Sequence, residues 1–167
     1  YSFSWFSAMA ARASQPERAL ESLKTYERAF IGPNGFHLNG DQTRSGLSDF
    51  TYRPFTLEGN FLAMQAVHEM LLQSWGRVVR VFPATSDAWQ DTSFEKLRAE
   101  GGWIVSAERK KGQTVRVEIR ATSGGVVRLR NPFGEAAVEW SRKDVKRVGS
   151  DFVVTIGPGE VLAASAR

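Results

Sequence analysis

At 167 residues, with 42% hydrophobic content, the chain suits one domain or two small globular pieces. It has no cysteine and only two histidines, so disulfides and thiol chemistry are excluded, and neither a dedicated zinc site nor a cofactor is expected. The net charge of +4 is uneven: residues 1–76 are close to neutral and the excess of Lys and Arg falls after Arg77, which predicts two segments with different surfaces.

The chain opens on Tyr1-Ser2-Phe3-Ser4-Trp5-Phe6, without a charged n-region or cleavage pattern, and reads as starting inside a fold, as a fragment would. Residues 5–13 carry apolar side chains on nearly all sides, with Arg12 the only charge, which predicts a helix enclosed by others. Ser14-Gln15-Pro16-Glu17 has capping-box spacing with proline in the first turn. In the helix that follows, Ala19, Leu20, Leu23, Tyr26 and Phe30 form one stripe, and Glu17, Arg18, Glu21, Lys24 and Arg28 the other. That is an outer helix with one solvated face. A polar loop over 36–57 is long enough to suggest function.

Residues 61–75 return to the enclosed type. Phe61, Met64, Val67, His68, Leu71, Leu72 and Trp75 cover one side, with a thin polar strip of Gln65, Glu69 and Gln73. The order of buried helix, amphipathic helix, long loop and buried helix fits part of a double-layered α/α barrel, and a small helical bundle is the competing arrangement. From Arg77 the period changes to two. Val78 to Phe82, Trp103 to Ala107, Val115 to Ile119, Val127 to Leu129, Ala136 to Trp140 and Phe152 to Ile156 read as strands of a small antiparallel sandwich. The fold class is thus α+β, with helices over 1–76 and a β-sandwich domain over 77–167. No apolar run of some 20 residues is present to span a membrane.

Between the loop and the third helix lies Arg53-Pro54-Phe55-Thr56-Leu57-Glu58-Gly59-Asn60-Phe61. Unpaired N–H groups at a helix start favour an ionised carboxylate, so Glu58 is placed either to cap the helix or to do chemistry at its mouth. Three blocks of the chain together resemble the C-terminal part of glycoside hydrolase family 95, the inverting α-L-fucosidases and their relatives. Ser4 to Arg12, with Glu17-Arg18-Ala19, is similar to the family's tryptophan-rich inner helix and the outer helix after it. Pro54 to Phe61, with Glu69-Met70-Leu71-Leu72-Gln73-Ser74, is similar to P-F-Q-x-D-G-N-F and E-M-L-L-Q-S. Pro83-Ala84 through Trp89, with Leu97 to Trp103, is similar to two further family segments.

The resemblance covers roughly residues 1–130. It implies an (α/α)6 barrel followed by a β-sandwich, a glycan substrate, and a secreted or periplasmic protein. It also implies Glu58 at the position of the catalytic carboxylate, with Asn60, Tyr52, Arg53, Phe55 and His37 as candidate substrate contacts. Inversion needs a second carboxyl group separated by about 6.5–9.5 Å to admit a water. The family's general acid lies upstream of Tyr1, so the chain alone is expected to be inactive. Its partners are then the remainder of the barrel or further copies of itself.

Departures from the pattern sit at the site. Glu58 replaces an aspartate, Tyr52 falls where a histidine is usual, Arg53 replaces a proline and Leu62 a glycine. They imply altered sugar specificity or weakened activity, and a non-catalytic carbohydrate-binding or structural module is the alternative reading. His68 reads as a core histidine and His37 as a sugar contact or an ordinary solvated loop residue. Asp41 and Asp49 are the loop's other carboxylates and would have to supply the acid if the chain acted alone. Phe61 and Trp75 fit the core stripe, while Trp89 and Trp103 are expected between sandwich and helices. Arg116, Arg120, Arg128 and Arg130, with Lys110 and Lys111, read as an outward basic set on neighbouring strands. Without interleaved aromatics it suggests a solvated face and no nucleic-acid partner.

Overall fold

Ser4, Ser7, Ala10 and Ala11 occupy one side of the first helix, α1 (Ser2–Arg12), and are its buried residues. In the computed structural model, which describes residues 1–50 and 55–167, this small-residue side faces α2 (Pro16–Phe30). The Ser7 hydroxyl donates to the Ala19 carbonyl at 2.7 Å, a contact that only short side chains on both helices allow. The large residues Trp5, Phe6 and Met9 are about half exposed, so the face expected to be enclosed is the open one within this chain.

Between the helices no side-chain cap forms. Ser14 adopts a positive φ, and Gln15 stands at the N-cap with Pro16 in the first turn, so the expected Ser14–Glu17 box is absent. Glu17 instead accepts from the Ser86 hydroxyl at 2.9 Å. The buried residues of α2 are Ala19, Leu20, Tyr26, Ala29 and Phe30, close to the predicted stripe.

α3 (Glu58–Leu71), expected to be enclosed, buries one side within this chain. Gly59, Ala66, Glu69 and Met70 are buried, whereas Phe61 and Met64 are 59% and 68% exposed. Glu69 tolerates burial because it accepts from Arg12 Nη2 and Gln65 Nε2, both at 2.8 Å. No helix among the described residues is long and apolar enough to cross a membrane.

The chain divides into two compact units, Tyr1–Met70 with Ala84–Ser86, and Leu71–Pro83 with Asp87–Arg167. The second unit is β-structure. A two-stranded ladder pairs β1 (Leu72–Gln73) with β2 (Arg80–Val81). A five-stranded antiparallel sheet has the order β3-β4-β5-β10-β7, formed by Thr92–Ala99, Trp103–Lys110, Gln113–Ala121, Val161–Ala166 and Val138–Trp140. A three-stranded antiparallel sheet has the order β6-β9-β8, from Gly125–Arg130, Asp151–Ile156 and Lys146–Val148. One core joins the two sheets: Val105, Val117, Ile119 and Leu162 meet Val127, Leu129, Phe152 and Val154. Among the described residues the architecture is therefore α+β, with three helices and a small antiparallel sandwich.

The β4–β5 turn shows why the sequence folds this way. Lys111 and Gly112 both have positive φ, which gives a two-residue turn whose twist matches the strands. Trp103, expected between sandwich and helices, is buried in the sandwich core. The predicted basic set is split as well, because Arg116 and Arg120 lie on β5 and Arg128 and Arg130 on β6, in different sheets.

Candidate functional site

α2 ends at Phe30, and Gly32 and Phe36 close a tight turn by a 2.8 Å backbone hydrogen bond. The turn returns the chain so that Ile31 bridges His37, and Leu38 then bridges Phe55. The described part of the long loop is thus pinned by backbone pairing at its start and end.

His37 is the centre of this arrangement. It is fully buried, its ring stacks on Tyr26 with centroids 5.4 Å apart, and its Nε2 lies 2.9 Å from Asn39 Oδ1. Burial pushes the imidazole below its ordinary value and the Tyr26 hydroxyl up to about 12, so both rings are neutral in the folded chain. The reading of His37 as a solvated loop residue is overturned, because α2 and the start of α3 cover it. In this conformation it supports the loop and is not presented to a sugar in solution.

Gly59 and Asn60 hold that histidine. A Cβ on Gly59 would come within 2.4 Å of the His37 ring, so only glycine permits the approach. The Asn60 side chain accepts from the His37 N–H at 2.7 Å and donates to the Gly35 carbonyl at 2.9 Å. Asn60, expected as a substrate contact, therefore has its amide committed to the turn. Glu58 is exposed in the first turn of α3, and it makes no side-chain hydrogen bond or ion pair with the described residues. A carboxylate there is favoured by the unpaired N–H groups of the helix start and remains open on its solvent side.

Phe55 is 53% exposed and meets Phe36 edge to face at 5.1 Å, which leaves an aromatic surface near the start of α3. Tyr52 and Arg53 lie outside the described residues. His68 is half-buried, and Phe61 and Trp75, assigned to the core stripe, are exposed. Asp41 receives hydrogen bonds from the N–H groups of Thr43, Ser45 and Leu47 and from two hydroxyls. These donors, the Thr43 side chain first, hold its carboxyl far below the usual range, so it is unsuited to donate a proton at neutral pH. The sequence reading missed the role of Gly59 as a seat for His37. Its signal was a glycine just inside a helix N-terminus, where a small residue permits close approach.

Comparison with known proteins assigns the chain to the glycoside hydrolases. Residues 73–155 match the family model described as glycoside hydrolase family 95, C-terminal domain. The chain belongs to glycoside hydrolase family 95. It is 33% identical over 119 residues to Alpha-L-fucosidase 2 of Arabidopsis thaliana, a match that covers 69% of this chain and 14% of that protein. It thus spans a small part of that relative's length. Among solved structures, a GH127 β-L-arabinofuranosidase from Geobacillus stearothermophilus T6 aligns over 93% of this chain and 28% of its own, at 15% identity and a TM-score of 0.36. A family 39 glycoside hydrolase from Bacteroides cellulosilyticus WH2 aligns over 51% and 18%, at 14% identity and the same TM-score of 0.36.

Proposed function

We propose that this chain is the C-terminal portion of an inverting glycoside hydrolase resembling α-L-fucosidases, and that Glu58 acts there as the general base or as its activating partner. The observation that carries this reading is the division of labour in Glu58-Gly59-Asn60. Gly59 and Asn60 are committed to His37 and its turn, and Glu58 alone is left exposed at the start of α3. Family membership supports a glycan substrate, and it is compatible with a secreted or periplasmic location. In this reading residues 1–76 supply helices of an (α/α)6 barrel and 77–167 its C-terminal β-sandwich. Leu62 and the exposed Phe61 and Met64 then meet further barrel helices.

In this reading the general acid comes from elsewhere in the protein, and Asp41, held ionised by five donors, does not supply it. The chain alone therefore does not hydrolyse glycosides. The test is assay of the full-length protein on aryl α-L-fucosides and α-L-galactosides, with the anomer of the first sugar released followed by NMR. Release of the inverted anomer by the full-length protein, and none by the 167-residue chain, is the expected result. A retained anomer rules out the inverting mechanism. Glu58 in place of the family's aspartate favours a second reading, a carbohydrate-binding or structural module without turnover, which absence of release by the full-length protein would support.

A further inference from the structure

The outward face of the three-stranded sheet collects positive charge that the sequence disperses. Arg128 faces Val153, which faces Lys146, while Arg130 faces Asp151. Residues opposed across paired strands share a face, and the alternate residues Val127, Leu129 and Val154 are buried in the core. Arg128 and Arg130 on β6 and Lys146 on β8 thus stand on the outer side with β9 between them, two strand spacings or about 9.6 Å from strand to strand.

A fourth cation joins from outside the sheet. Val79 bridges Leu129 in parallel and is buried, so Arg80, the next residue, takes the other side. Its guanidinium lies over the Trp75 ring at 3.9 Å and donates to the Trp75 and Val78 carbonyls at 2.8 and 2.9 Å. Burial and the charge of Arg130 lower its pKa, and Asp151 opposes them, which puts all three within electrostatic reach. Asp151 is the balancing carboxylate and lies low in the sheet, its side chain 10% exposed, 3.4 Å from Arg128 and 2.5 Å from Arg130. On the other sheet Arg116 pairs with Glu118 and Lys110 with Glu108, one to one. Here Arg128 and Arg130 share one recessed carboxylate, and Arg80 lies within its electrostatic reach.

We propose that this face is a docking surface for an anionic polysaccharide whose sugars carry sulfate or carboxylate groups. Guanidinium forks fit both groups in bidentate geometry, and the strand spacing spreads them along an extended chain. Trp75, 43% exposed, supplies a flat apolar surface at the edge. A single-stranded nucleic acid would instead call for several aromatic platforms between the cations, and Trp75 has Arg80 on one of its faces. The choice of a saccharide carrier rests on family membership and not on the catalytic reading of Glu58, so an inactive Glu58 variant leaves it standing.

Retention of the 167-residue chain on immobilised heparin, polygalacturonate, dextran and single-stranded DNA tests the proposal. Binding to heparin or polygalacturonate that weakens with salt, and none to neutral dextran, is expected. The double variant Arg128→Gln with Lys146→Gln should bind at least about tenfold more weakly. It leaves Arg130 in place, so the recessed Asp151 keeps a partner and the fold is spared. Arg116→Gln with Arg120→Gln changes net charge equally and should bind as the unmodified chain does. Equal loss in both double variants, tighter retention on DNA, or no retention on either acidic polymer would overturn the proposal.

Discussion

Gly59 has no room for a side chain, and that single fact organises the segment around it. Replacing it with alanine drives a methyl group into the His37 ring. Overpacking of this kind costs about 1–3 kcal/mol, so Gly59→Ala should lower the thermal midpoint of the chain by several degrees in calorimetry. An unchanged midpoint would show that His37 can move aside at no cost. His37 also gives the fold a pH dependence. Its folded pKa is depressed by burial, so as pH falls the unfolded chain takes up the proton first. Its contribution is intact above the unfolded value of about 6.5 and declines below it. Denaturant titrations should therefore show stability falling from pH 7 to pH 5, and His37→Gln should flatten that slope. The motif's residue types were legible in the sequence, but its division of roles was not. Asn60 and His37 are 23 positions apart, and only the turn at Gly32–Gly35 brings the amide to the His37 backbone.

Among the elements, α2 was read closely because a helix with one buried stripe writes its periodicity in its residues. α1 and α3, expected to be enclosed on nearly all sides, bury only one side within this chain. An all-round apolar helix does not say which side its nearest neighbour takes, and here small residues won α1, since Ser7 and Ala11 let α2 approach. β3 was missed because a bulge between Phe94 and Leu97, with Lys96 at positive φ, puts its apolar residues three apart, a helical spacing. β10 is Val-Leu-Ala-Ala-Ser-Ala, whose small residues carry little strand signal, and β8 is wholly exposed. The open faces of α1 and α3 have a measurable consequence. Trp5 and Met9 with Leu62 line an apolar groove of about 250 Å³, and Phe61 and Met64 project from α3. The isolated chain should self-associate in sedimentation velocity, and Phe61→Ser with Met64→Ser should shift it toward monomer without loss of helix. A chain that is monomeric before the substitutions would contradict this.

At the scale of the whole molecule, the change from helical to strand periodicity was placed at Arg77, whereas Leu71–Pro83 already clusters with the β-structure. The difference arises because β1 continues directly from α3, and Leu72 and Val81 enter the sandwich core from either side of the Trp75 turn. That core should carry the second unit's stability: Leu129→Ala, at a fully buried site, is expected to cost about 2–5 kcal/mol in denaturant unfolding. The central claim concerns Glu58, which no packing requirement explains. The most direct measurement is the turnover of the full-length protein on an aryl α-L-fucoside, wild type against Glu58→Gln, with thermal stability measured on the same samples. A loss of about 10²–10⁴-fold in kcat with an unchanged melting temperature is the expected result. Undiminished turnover in Glu58→Gln would remove Glu58 from the mechanism.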